Sequence, residues 1–334
     1  PYNDIIRKFI DMYAGRLRNQ VSFMLSACNF YMPIFEEALD AYGLPLELRY
    51  LPIIESALNP SAVSRAGASG LWQFMIGTGK IYGLESNSLV DERRDPIKAT
   101  WAAARYLKEM YDIYGDWNLV IAAYNCGPGT INKAIRRANG ETDYWKIYNY
   151  LPKETRGYVP AFIAANYVMT YYCDHNICPM ETNIPASTDT VQVNKNLHFE
   201  QIADLCNVPL DQIKSLNPQY KKQMLPGDSK PYTLRLPIDA ISTFIDKQDT
   251  IYAHRADELF RNRKTVAVKE ITPSTRKTTT AVAGKGKLTY YTIKSGDTLS
   301  TIAGKYGVTI KDIQRWNGMS NTKIAAGKRL KIYK

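Results

Sequence analysis

A single glutamate, Glu55, ends the apolar stretch Leu51, Pro52, Ile53 and Ile54. It is followed by Ser56 and then by a run of small residues leading to Gly70, Leu71, Trp72 and Gln73. An apolar shell disfavours the charged form of a carboxyl group and raises its pKa. A carboxyl that holds its proton near neutral pH can protonate a leaving oxygen, which is what breaking a glycosidic bond requires. Most glycosidases use two carboxylates, one as acid and one as base or nucleophile. This stretch supplies one.

The segment ESALNPSAVSRAGASGLWQFM (55–75) resembles the soluble lytic transglycosylases and the related goose-type lysozymes, whose signature is Glu-Ser followed by a Gly-Leu-(Trp/Met)-Gln turn. AAYNCGPG (122–129) and LPKETRGYVP (151–160) resemble the second and third active-site segments of that family, in the right order. The likeness spans 1–185 and is closest to the membrane-bound type D branch, which carries LysM repeats behind its catalytic domain. With no second carboxylate at a matching position, the resemblance implies that the substrate supplies its own nucleophile. Glu55 would protonate the oxygen linking N-acetylmuramic acid to N-acetylglucosamine. As a carboxylate it would then deprotonate the muramyl C6 hydroxyl, which closes on C1 to give a 1,6-anhydro sugar.

Other roles follow from the same resemblance. Ser56 would hydrogen-bond near Glu55 or to the substrate's acetamido group, and Gln73 would donate to the sugars. Met75 would pack on a ring. Tyr124 and Asn125 would line the cleft, Tyr158 would bring its hydroxyl near Glu55, and Glu154 would bind sugar or fix the neighbouring helix. Cys126 stands where the family commonly has a small residue. None of His175, His198 and His254 lies in a matching motif, so inert packing is the expectation for this thiol.

The elements that must position these groups are helical over the first 175 or so residues. Apolar residues recur at helical spacing in Ile5, Ile6, Phe9, Ile10 and Tyr13, and again in Leu17, Val21, Met24, Leu25 and Cys28. Pro45 and Pro96 mark helix starts, the second after Asp95 as N-cap, while Gly43 and Gly115 mark stops. From 189 the pattern changes to an extended run, two short helices and another extended run at 233–237. The same order returns at 290–333. Aligning QIADLCNVPLDQIKSLNP (201–218) with TIAGKYGVTIKDIQRWNG (301–318) shows an internal repeat.

The second copy closely resembles a LysM domain, and the resemblance implies a shallow groove for GlcNAc-containing chains. That groove would be made by Gly296, Asp297 and Thr298 together with the loop before the last strand, which ends at Ile324. For Asp297 itself, capping of the first helix is the favoured reading. The first copy lacks the Gly-Asp-Thr turn, which puts its sugar binding in doubt more than its fold. The expected architecture is multidomain: an all-α lysozyme-like catalytic domain (1–185), a degenerate LysM-like domain (186–238), a partly helical then flexible basic linker (239–288), and a βααβ, α+β LysM domain (289–334).

Composition agrees with a multidomain globular chain. It has 334 residues, 45% hydrophobic and 22% charged, and no apolar run of about 18 residues that would span a membrane. The net charge of +11 lies in the last part: basic and acidic residues number 18 and 19 in 1–185, 10 and 10 in 186–263, but 15 and 3 in 264–334. Such a tail suits a polyanionic surface or keeps a linker soluble. The five cysteines allow at most two internal disulfides. Cys173 and Cys178 lack the second pair that a metal site needs, so a local disulfide or two free thiols is expected.

No metal or organic cofactor is implied. The expected partner is the GlcNAc-MurNAc glycan of peptidoglycan, with no nucleic acid, and a monomer is expected. The chain opens PYNDIIRKFI, so a processed or truncated form is expected, its N-terminal lipid anchor or secretion signal lost. The site of action is then the bacterial envelope, in the periplasm or attached to the outer membrane. Two alternatives stand beside the transglycosylase: a goose-lysozyme-like hydrolase of the same bond, and a non-catalytic wall-binding scaffold.

Overall fold

The computed structural model describes residues 2–182, 184–185, 187–260, 288–294, 297–319, 322 and 324–333. The chain divides into two compact units, one up to residue 270 and one from residue 271. The Lys/Thr/Ala-rich linker expected at 264–287 lies outside the described residues.

The first part of the first unit is helical. α1 (Asp4–Ala14) starts at Asn3, whose side chain accepts from the N–H groups of Ile5 and Ile6. α2 (Arg18–Ala41) and α3 (Leu51–Ser56) follow, the latter entered through the 3-10 turn Leu46–Tyr50. Next come α4 (Ile76–Ile81), α5 (Pro96–Tyr114), α6 (Trp117–Cys126), α7 (Pro128–Arg137), α8 (Tyr144–Ile147) and α9 (Lys153–Thr170). As expected, Asp95 caps α5 ahead of Pro96, accepting from Ile97 and Lys98, and α5 stops at Gly115 in the left-handed region.

These helices enclose one core. Trp72 lies at its centre, fully buried, with Phe35 edge-on at 5.3 Å. Its indole N–H donates to Thr100 Oγ1 at 2.9 Å. Pro160 lies inside α9, and a proline there leaves the carbonyl four residues earlier without its helical donor. That carbonyl belongs to Arg156, and the Tyr144 hydroxyl donates to it at 2.9 Å.

The rest of the unit is the first repeat. β1 (Thr188–Val193) pairs antiparallel with β4 (Tyr232–Pro237), Thr188 opposite Pro237. Between them lie β2 (Asn196–His198), α10 (Phe199–Cys206), α11 (Leu210–Leu216) and β3 (Met224–Pro226), with β2 and β3 paired. α12 (Ile238–Asp246), α13 (Gln248–Ala253) and α14 (Ala256–Leu259) complete it. Ala240, Phe244 and Ile251 join Leu197, Ile202, Ile213 and Leu234 in a second core. Packing therefore runs past residue 238, where the repeat was expected to end, because an apolar face at helical spacing closes over the strands.

The second unit holds β5 (Leu288–Thr292), α15 (Leu299–Tyr306), α16 (Ile310–Asn317) and β6 (Arg329–Tyr333), with β5 and β6 antiparallel around a third core. The repeat holds at the level of single hydrogen bonds. Asn217 Nδ2 donates to the carbonyls of Ile213 and Arg235, and its Oδ1 accepts from Arg235 N–H. Asn317 makes the same three bonds to Ile313, Lys331 and Lys331 N–H. In each copy one asparagine ends the second helix and fastens it to the last strand.

Candidate active site

Glu55 is carried on the last turn of α3, whose Leu51, Pro52 and Ile53 are buried. The helix is stopped by Ala57 and Leu58, at φ of 51° and 57°, and Gln73 lies at φ 48°. Three non-glycine residues in the left-handed region beside one carboxylate are strained backbone of the kind that collects at functional sites. The Glu55 carboxyl is half-buried. Its pKa is pushed up to about 7, mainly by loss of solvent; the Glu154 charge raises it further, and the hydrogen bond from Tyr158 works against both. Tyr158, buried in α9, donates its hydroxyl to Glu55 Oε1. Burial and the neighbouring carboxylate hold that phenol protonated well above its usual range.

Tyr124 also lies within the field of Glu55. It donates to the Trp72 carbonyl at 2.7 Å, and burial followed by the Glu55 charge raises its pKa well above normal. Asn125 Oδ1 accepts from Thr155 Oγ1 at 2.9 Å, which ties α6 to α9 beside the carboxyl. Met75 is partly exposed at the N-cap position of α4. Glu154 is exposed in the first turn of α9 and reaches Glu55 only through its field.

Two of the expected site residues bond their own loop. Ser56 Oγ bonds neither Glu55 nor open cleft: it donates to the Leu71 carbonyl at 2.9 Å and the Pro52 carbonyl at 3.0 Å. The amide nitrogen of Gln73 donates to the carbonyls of Gly70 at 2.8 Å and Ala62 at 3.2 Å. Both side chains are spent on holding the 56–74 loop, because its short turns leave carbonyls that need donors. Burial pushes the Cys126 thiol up, away from a nucleophilic thiolate. Cys173 and Cys178 are exposed free thiols.

Sequence reasoning missed Asp91 and Arg93. Arg93 donates through Nε and Nη2 to the two oxygens of Asp91, at 2.9 and 2.8 Å, and through Nη1 to the carbonyls of Gly67 and Phe74. Both side chains are almost wholly buried. Gly70, at φ 88°, lies against the 3-10 turn Glu92–Arg94 so closely that a Cβ there would come 1.7 Å from the Arg93 carbonyl oxygen. The available signal was the charge run DERRD (91–95) inside a helical domain.

In the second unit Thr298, not Asp297, caps α15: its Oγ1 accepts from Thr301 N–H, and its own N–H donates back to Thr301 Oγ1. This corrects the capping reading of Asp297. Its carboxylate turns back to accept from Lys294 N–H and the Tyr291 hydroxyl, both at 2.8 Å, and those bonds lower its pKa. Ile324 packs partly buried on the third core. Gly296 lies outside the described residues.

Comparison with known proteins divides the chain into three matched segments. The Transglycosylase SLT domain family matches residues 32–147, the Lytic transglycosylase MltD, LysM-like domain matches 187–253, and the LysM domain matches 291–332. A helical, lysozyme-like SLT domain followed by small LysM-type domains is thus the class of protein present. The membrane-bound lytic murein transglycosylase D of Escherichia coli (strain K12) is 32% identical over 338 residues, covering 99% of this chain and 69% of that protein. The chain belongs to the membrane-bound lytic murein transglycosylase D family. The soluble lytic murein transglycosylase of the same strain is 33% identical over 35% of this chain and 19% of its own length. A solved 70 kDa soluble lytic transglycosylase from Escherichia coli aligns over 43% of this chain and 24% of its own, at 29% identity and a TM-score of 0.38.

Proposed function

We propose that this chain is a peptidoglycan lytic transglycosylase of the bacterial cell envelope. It cleaves the β-1,4 bond between N-acetylmuramic acid and N-acetylglucosamine and leaves a 1,6-anhydro end. The observation that carries this reading is the Glu55 carboxyl, held by Tyr158 with a pKa pushed up to about 7. One group that must serve as acid and then as base works best when its pKa lies near the operating pH. Protonated Glu55 gives its proton to the bridging oxygen, then takes the proton of the C6 hydroxyl as that oxygen closes on C1.

Tyr158 orients the carboxyl, and Tyr124, Asn125 and Met75 line the cleft. Ser56 and Gln73 keep the 56–74 loop in shape, and Glu154 tunes the field at Glu55. The catalytic part is assigned to 1–185. The LysM at 289–334 holds the enzyme on glycan through the loop containing Gly296, Asp297 and Thr298 and the approach to Ile324, which raises local substrate concentration. A monomeric state and attachment to the membrane by a segment outside these residues belong to the same proposal, supported by the relative's description as membrane-bound.

Mass spectrometry of fragments released from purified peptidoglycan tests it. Muropeptides lighter by one water and lacking a reducing end, absent with Glu55→Gln, are the expected result. Reducing-end products would make the enzyme a hydrolase, and no product from either protein would make it a binding scaffold.

A further inference from the structure

By the LysM resemblance, a glycan groove lies between the loop after the first strand and the loop before the last. In the first copy these are 194–198 and 217–231, and they are joined to each other. β2 pairs with β3, and Asn196 N–H donates to Asp228 Oδ1 at 3.1 Å. Gly227 lies so close that a Cβ would sit 2.2 Å from the Lys195 carbonyl oxygen. No space for a sugar ring remains between such backbones.

The second loop is also occupied from outside, by the helical domain. Asp91 N–H donates to the Gln219 carbonyl at 2.8 Å, and Val90 pairs with Tyr220. Lys221 N–H donates to the Leu89 carbonyl at 2.7 Å, and its Nζ to the Asn87 carbonyl at 2.8 Å. Leu89 and Val90 are 1% and 0% exposed and belong to the core of the repeat, not to that of the helical domain. Glu85 receives Lys230 Nζ at 2.7 Å and the Tyr232 hydroxyl at 3.2 Å. The 85–91 segment is therefore a plug that the repeat holds along its whole length.

The far end of that plug is Asp91, the carboxylate that orients Arg93. Lys221 Nζ lies 3.8 Å from Asp91 Oδ2, so the repeat places a cation on the same carboxylate. Arg93 in turn holds Gly67 and Phe74, the two sides of the turn bearing Gln73, and that turn presents the Trp72 carbonyl to Tyr124. Polar contacts, the longest of them the 3.8 Å Lys221–Asp91 ion pair, thus run from the repeat to the wall of the active site.

We propose that the first LysM-like copy is a brace for the catalytic turn and not a glycan-binding module, with Lys221, Asp91 and Arg93 as positioning residues. This rests on the reading of Glu55 as the catalytic acid. A turn that drifts by a fraction of an ångström misplaces substrate, and errors of that size cost rate while leaving a remote tether untouched.

The test compares the full chain with Lys221→Met and Lys221→Arg. Three quantities are read: amide hydrogen exchange across 67–74, kcat and KM on purified peptidoglycan, and co-sedimentation with sacculi. For Lys221→Met the expectation is exchange about tenfold faster in that turn and kcat about tenfold lower, with KM and co-sedimentation unchanged. Lys221→Arg restores both. Wild-type exchange and kcat in Lys221→Met would overturn the brace, and a loss of co-sedimentation at full kcat would show a glycan contact instead. If Lys221→Met does not fold, Asp91→Asn probes the same link from the catalytic side. Should the wild-type chain release no anhydro product, the functional reading fails, while the exchange comparison still decides the brace.

Discussion

Tyr158 and Glu55, 103 residues apart in the chain, share a hydrogen bond in which the phenol donates to the carboxyl oxygen. The bond opposes the loss of solvent that drives the Glu55 pKa upward, and so keeps the group near neutrality. One helix supplies the carboxyl and another supplies its hydrogen-bond donor.

Glu55 binds its proton more tightly in the folded chain than in the unfolded one. Folding therefore becomes less favourable as pH rises from about 4.5 to about 7, and the full loss persists above that, on the order of 3 kcal/mol. Glu55→Gln should abolish anhydro-muropeptide release and melt higher than wild type at pH 8. Its advantage should vanish below about pH 4.5. Equal melting temperatures at pH 8 would show that Glu55 is not desolvated.

Removing the donor that lowers the Glu55 pKa should raise it. Tyr158→Phe is expected to move the alkaline limb of the pH–rate profile upward, because the acid must be protonated to act, with kcat falling by about 10- to 100-fold. A profile that keeps its shape while only the amplitude drops would mean that Tyr158 acts by packing alone.

Tyr144→Phe strands the Arg156 carbonyl that Pro160 already deprives of its helical donor, and should destabilise the first unit by about 1–2 kcal/mol. In a Pro160→Ala background the backbone N–H of residue 160 can take over, so the same change should cost much less. Denaturant unfolding of the four proteins in a double-mutant cycle measures the difference.

Asn217→Ala and Asn317→Ala each remove three hydrogen bonds to backbone, at a cost of about 2–3 kcal/mol. Because the two residues lie in different compact units, calorimetry should show each variant lowering a different transition. A shift of both transitions by either variant would contradict that independence.

Much of the molecule was legible because it is written locally. Helical spacing marked the first 175 residues, Asp95-Pro96 marked a helix start, and the repeat of 201–218 in 301–318 exposed two related folds. Each of these signals lies within a few turns of chain, where backbone sterics and apolar period act directly. The Glu-Ser and Gly-Leu-Trp-Gln residues likewise marked the carboxyl that meets Tyr158 and the turn beside it.

Tertiary structure decided which partners the polar side chains take. Ser56 and Gln73 serve loop carbonyls instead of open cleft, Asp91 and Arg93 clamp the turn, and the first repeat is plugged by 85–91. A single long-range hydrogen bond has no period and no fixed spacing. It appears only when folding brings an unpaired donor and an unpaired carbonyl together away from water.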